Sequence, residues 1–245
     1  MMLQMLLDDV RARFGAGGME RVEECLEILA GSRRPTYLHL DQEATRIFFP
    51  GISAKPWHDP ASFSWIPQVE SRWMEVRAEL DALKARSVAF YPYEDRYTGD
   101  LGWPGWDTWQ IYRRGQFTEA ARTLCPETID VLRLGRHGLR EGMFASLAPG
   151  AHVMPHTGGV NAVLTAHLPL VVPDGCTMRV GDETRGWEEG RVLVFDDSFI
   201  HETWNRGTSS RVVMIWDVWH PELTPVEIAS MTYLFPRIEA FVTAP

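Results

Sequence analysis

His156 and His201 carry the chemistry that this sequence offers first. His156 sits in PHTGG (residues 155–159) and His201 in EEGRVLVFDDSFIHETWN (residues 188–205), with Arg211 ten residues beyond the second histidine. Neutral imidazoles bind iron, copper, nickel and zinc, so the pair predicts a metal centre without naming the metal. Arg211 lies in TSSRVVMIWDVW, an otherwise apolar alternating run. A guanidinium there is costly to bury unless it is paired, and its best partner is a carboxylate held by two parallel hydrogen bonds; a structural ion pair with a neighbouring acid is the alternative. Two histidines followed by one such arginine point to a metal in the mouth of a β-barrel and a carboxylate co-substrate. That is the pattern of a non-haem iron oxygenase using 2-oxoglutarate. The usual facial triad adds an Asp or Glu, but two residues after His156 this chain has Gly158. Asp196, Asp197 and Glu202 are nearby substitutes better suited to turns or the surface, and His152 stands four residues before His156.

A jelly roll positions such residues, because it gathers strand ends distant in sequence at one open end. From Gly142 onward the runs GMFASLAPG, AHVMPH, AVLTAHLPLVV, CTMRV, RVLVF, HETWN and SRVVMIWDVW are β-rich and punctuated by Pro, Gly and Asp, the signature of an antiparallel sandwich or jelly roll. Upstream, Val22, Cys25, Leu26 and Leu29 recur at helical spacing after a GAGG break, and Trp73, Val76, Leu80 and Leu83 mark a helix over 69–86. A strand is predicted over 106–114, a short helix over 126–134, and a closing helix within 221–242. The expected architecture is α+β: a cupin-like double-stranded β-helix with N-terminal helices and a C-terminal helix. We divide it into a helical extension over 1–36 and an oxygenase domain over 37–245, with the jelly-roll core at about 142–220.

The apolar fraction of 45% suffices for a large core in 245 residues. A net charge of −9 without basic runs argues against nucleic acid and anionic membranes as partners. The three scattered cysteines and the absence of a basic n-region predict free thiols and a cytoplasmic location. A homodimer remains open.

The text PGAHVMPHTG, then HLPLVVPDGCTMRVGDETRGWEEGRVLVFDDSFIHETWN, and finally DVWHPELTP resembles the catalytic domain of the aspartyl/asparaginyl β-hydroxylase family. The likeness runs from Phe49 to Leu234 and is strongest from Pro149 to Pro225. It implies Fe(II), 2-oxoglutarate and O2, with succinate and CO2 as co-products, and it accounts for Gly158, since this family is known for a two-histidine site without the carboxylate. By position, His156 and His201 would bind iron, Arg211 the distal carboxylate of 2-oxoglutarate, and His167 the same co-substrate. A serine in the preceding strand assists in the family; Ala145 holds that place here, with Ser146 adjacent as the candidate. Many members carry R-x-R-x-H before the histidine at 167, where this chain has Val163 and Thr165. That departure favours a free small molecule, an amino acid or natural-product intermediate, over aspartyl or asparaginyl residues in a peptide. Candidate substrate residues are Trp106, Asp107 and Arg113, within a possible lid that includes Tyr91, Tyr93, Trp103 and Trp109. Two other readings stay open: a cupin-like metal enzyme that does not use 2-oxoglutarate, and a non-catalytic ligand-binding jelly roll.

Overall fold

Alternating apolar residues build two antiparallel sheets, and helical stripes cover one of them. In this computed structural model residues 2–94, 102–135 and 137–242 are described. The helices are α1 (Met2–Phe14), α2 (Glu20–Leu29), α3 (Ile66–Ser71), α4 (Trp73–Ala85), α5 (Glu119–Leu124), α6 (Pro126–Leu134) and α7 (Pro225–Val242). The strands are β1 (Trp57–His58), β2 (Tyr91–Pro92), β3 (Trp106–Arg113), β4 (Gln116–Phe117), β5 (His137–Leu147), β6 (His152–His156), β7 (Val163–Val171), β8 (Cys176–Val180), β9 (Glu183–Gly186), β10 (Leu193–Phe195), β11 (His201–Asn205) and β12 (Arg211–Trp219). None of the described helices is long and apolar enough to cross a membrane.

The larger sheet runs β1-β10-β7-β12-β5-β3-β2, with β4 beside β3; the smaller runs β6-β11-β8-β9. From β5 to β12 the chain passes back and forth between the sheets, apart from the β8–β9 hairpin within the smaller one, as in a double-stranded β-helix. Met143, Ala145 and Val213 of the large sheet meet Met178, Val180 and Phe199 between the layers. Phe144, Leu164, Leu168 and Met214 alternate to the other face and pack on Val76, Leu80 and Leu83 of α4. Truncating one of these fully buried leucines to alanine costs ~2–5 kcal/mol. The stripe of α2 buries Val22, Cys25 and Leu26 against Met231, Leu234 and Phe235 of α7 and against Phe49 and Val160.

The helix expected over 69–86 is broken. Arg72 adopts φ −111° and ψ 10°, and its amide bonds to the Val69 carbonyl, three residues back. The tightened turn places Trp73 over Gly190, where a Cβ would lie 2.8 Å from the indole. Arg72 then reaches Glu127 at 2.6 Å and ties the break to α6. Helix α5, absent from the sequence expectation, is capped by Thr118, whose hydroxyl accepts from the Ala121 amide.

Candidate active site

His156 ends β6 and His201 opens β11, and the two residues are direct partners across the antiparallel pair. Their ring centroids lie 4.1 Å apart at 49°. Each imidazole is fixed by its own strand: Nδ1 of His156 lies 2.8 Å from the Met154 carbonyl and Nδ1 of His201 2.8 Å from the Phe199 carbonyl. A carbonyl only accepts, so Nδ1 carries the proton in both rings and Nε2 carries the lone pair. Burial, reinforced by His156, holds the His201 pKa down to about 3, so that ring is neutral at physiological pH. Two lone-pair nitrogens oriented by backbone acceptors suit a transition metal.

The place of a third ligand is filled by another chain segment. A Cβ on Gly158 would collide with the Asp197 carboxylate, with Oδ2 at 2.7 Å and Cγ and Oδ1 nearer still. The Gly158 amide donates to the Asp197 carbonyl at 2.5 Å. Asp197 Oδ2 accepts from Arg140 Nη2 at 2.9 Å and from Thr165 Oγ1 at 3.0 Å, while its buried Oδ1 meets no donor on the protein. Burial opposes its ionisation, but Arg140 and these hydrogen bonds outweigh that, and its pKa lies below the ordinary carboxylate value. Asp197, expected to serve a turn or the surface, is thus a buried carboxylate beside the histidines. Among the described residues no group of three or more His, Cys, Asp or Glu side chains could by itself hold a metal ion.

Arg211 opens β12 and is 2% exposed. Its Nε and Nη1 are buried with no acceptor, and the Trp187 ring lies 4.8 Å below the guanidinium. Burial pushes its pKa down to about 10, which leaves it cationic at neutral pH. A buried charge with no counter-ion on the protein is expensive, so the orphaned guanidinium fits an anionic ligand. His167, on β7, accepts from Trp187 Nε1 at 3.3 Å through Nδ1, which puts its proton on Nε2. Burial, then Arg211, keeps His167 neutral, well below the usual imidazole range. Both residues line one cavity of about 470 Å3 with His156 and His201. The residues present therefore fit both a metal and a dicarboxylate co-substrate.

Trp106 lines this cavity and stacks on Tyr93 at 4.2 Å, while Trp103 lies 4.6 Å from the His156 ring. Three expected contacts do not line it. Ser146 and Asp107 are cross-strand partners that alternate to the face carrying Phe144 and Trp109, away from the interior. Ala145, not Ser146, faces inward. Arg113, past the irregularity between Gln110 and Tyr112, is exposed. His152 and Glu202 pair with each other at 2.9 Å, with Arg179 on Glu202, and neither lines the cavity. Asp196 accepts from Ser198 and Gln42, as a turn residue does. Part of the expected lid, residues 95–101, lies outside the described residues. Arg140, which lines the cavity from β5, was missed.

A jelly roll with two histidines and a buried arginine at its mouth defines a site suited to a metal and an anionic ligand, and comparison with known proteins gives its family. The family model for aspartyl/asparaginyl beta-hydroxylase matches residues 70–221, and the chain belongs to that family. It is 37% identical over 189 residues to the human aspartyl/asparaginyl beta-hydroxylase, covering 74% of this chain and 25% of that protein. It is 30% identical over 195 residues to the ornithine lipid ester-linked acyl 2-hydroxylase of Rhizobium tropici, covering 77% of this chain and 69% of that one. A solved oxidoreductase of the 2-oxoglutarate-Fe(II) oxygenase family from Burkholderia pseudomallei aligns with a TM-score of 0.43 at 16% identity, over 62% of this chain and 89% of that one.

Proposed function

We propose that this protein couples 2-oxoglutarate decarboxylation to the oxidation of an unactivated C–H bond in a small molecule, a free amino acid or a natural-product intermediate. Hydroxylation, desaturation and ring closure are the chemical outcomes open to such a site. The observation that carries this reading is Arg211, a buried cation without a counter-ion, in the same cavity as His156 and His201. In this reading His156 and His201 hold iron through Nε2, and Arg211 grips the distal carboxylate of 2-oxoglutarate in a charge-assisted pair. His167 donates to that carboxylate from Nε2. When bound, the iron supplies the oxidising chemistry, with succinate and CO2 as co-products. The protein's part is orientation and shielding: Trp103, Trp106 and Tyr93 wall the metal end with apolar surface, which excludes water and strengthens each polar contact inside. The cavity volume falls in the range of small-molecule sites.

The test is anaerobic addition of Fe(II) and 2-oxoglutarate to wild type, His201→Ala and Arg211→Ala, reading the visible charge-transfer absorption. A band in wild type alone supports the reading. No band in wild type with iron bound overturns it and brings forward a cupin-like metal enzyme. The 37% identity to the human relative favours a second substrate reading, β-hydroxylation of aspartyl or asparaginyl residues in a peptide. Succinate release with peptides but not with free amino acids would decide for it.

A further inference from the structure

The same cavity is lined by a second arginine whose hydrogen bonding is incomplete. Arg140 projects from β5 into the cavity lining. Its Nη2 is tied to Asp197 Oδ2 at 2.9 Å, but its buried Nη1 has no acceptor on the protein. A buried charged donor left without an acceptor is costly. None of the acids around it hydrogen-bonds to that nitrogen. Asp217 Oδ1 accepts from the Tyr112 hydroxyl at 2.6 Å and the Glu141 amide at 3.0 Å, and Oδ2 from the Arg140 amide at 3.0 Å. Glu141 accepts from the Tyr93 hydroxyl at 3.1 Å. The remaining Asp197 oxygen, Oδ1, is turned toward Gly158 and the histidine end. Arg140 Nη1 is thus left for an acceptor from outside the protein, and the strongest acceptor for a guanidinium is a carboxylate.

Resting on the oxygenase reading above, we infer that Arg140 is a specificity-determining residue that takes a carboxylate of the substrate on its second terminal nitrogen. The substrate class is a small organic acid, distinct from 2-oxoglutarate, which Arg211 serves. Asp197 acts as a positioning residue: it anchors Nη2 and so sets the guanidinium plane. Because Asp197 also lies against Gly158, the carboxylate is fixed close to the metal-binding histidines, and the reacting carbon lies within a short chain of it. Thr165, sharing Asp197 Oδ2, keeps the anchoring carboxylate from rotating.

The test uses matched probe pairs, each a carboxylate and its primary amide: hexanoate and hexanamide, N-acetylglycine and N-acetylglycinamide, L-glutamate and L-glutamine. They are titrated into anaerobic protein loaded with Fe(II) and 2-oxoglutarate, and the shift of the charge-transfer band reads occupancy next to the metal. In wild type at least one carboxylate binds about tenfold or more tighter than its amide, which is about 1.4 kcal/mol. Arg140→Met abolishes that preference while its affinity for 2-oxoglutarate stays at the wild-type value. Arg140→Lys keeps the charge and the Asp197 pair and retains part of the preference, which guards against a folding defect in the methionine variant. No preference for any carboxylate in wild type, or a preference that survives in Arg140→Met, overturns the assignment. Absence of the band in wild type is a separate result: it overturns the oxygenase reading, and calorimetry of the same pairs on metal-free protein then decides on Arg140 alone.

Discussion

Gly158→Ala removes no interaction and adds one methyl group, yet it strikes the most crowded point of the site. The new Cβ falls within bonding-type distances of the Asp197 carboxylate, so the carboxylate must move. Asp197 then gives up its bonds from Arg140 and Thr165. Two bonds to a charged acceptor are worth roughly 1.5–3 kcal/mol each, so the expected loss is about 3–6 kcal/mol. In a chain of this size each kcal/mol lowers Tm by ~2–4 °C, which gives a fall on the order of 10 °C in metal-free protein. Gly158→Asp adds like-charge repulsion and falls further, so it does not rebuild a facial triad. A double-mutant cycle isolates the cause, because Asp197→Ala should remove most of the penalty of Gly158→Asp and leave a non-additive remainder of several kcal/mol. Thermal melts without metal of wild type, Gly158→Ala and the three variants of the cycle measure all of this. A Gly158→Ala protein that melts with wild type, or a cycle that is additive, refutes the steric account of the missing ligand.

Arg211→Met should raise the Tm of the protein free of 2-oxoglutarate, by removing a buried charge with no counter-ion, and weaken 2-oxoglutarate binding about 100-fold; calorimetry and melting read both signs. His152→Ala should leave the charge-transfer band intact, since its partner Glu202 is tied to Arg179 outside the cavity; loss of iron would put His152 among the ligands. His58 and His220 are buried with ring centroids 5.3 Å apart, and burial holds both down to about 4. Unfolded histidine protonates near 6.5, so between those values the unfolded state binds more protons and stability falls with pH, by about 2 kcal/mol per histidine at pH 5 relative to pH 7. His58→Gln should shrink that urea-measured loss by about that amount.

The juxtaposition of His156 with His201 and the burial of Arg211 in the same cavity were legible because each residue breaks the pattern of its strand: an imidazole at a strand end, a guanidinium in an apolar run. Fold class was legible for the same reason, from short alternating segments between turns. Which face a residue takes was not. Strand β3 was foreseen, but parity puts Trp106 inside and Asp107 outside, and only the pairing with β5 sets that parity. Ser146 failed on the same ground, one residue from the inward Ala145. Arg140 escaped notice because β5 begins at His137, before the alternation becomes visible at Gly142. Asp197 has the composition of a turn residue, and only the void at Gly158 shows what it fills. The kink at Arg72 lies in an unbroken helical pattern and is set by Trp73 seeking Gly190.

The imidazoles of His156 and His201 are both aimed by main-chain oxygens two residues back in the chain, and a main-chain oxygen is present whatever amino acid stands there. No point mutation at Met154 or Phe199 can delete the group that aims the ring. Random mutagenesis should therefore find the orientation of these two rings hard to lose except at the histidines themselves, while the aromatic wall of Tyr93, Trp103 and Trp106 is open to change. Laboratory evolution toward new substrates has, in this chain, a chassis that tolerates extensive rewriting around a fixed reactive centre.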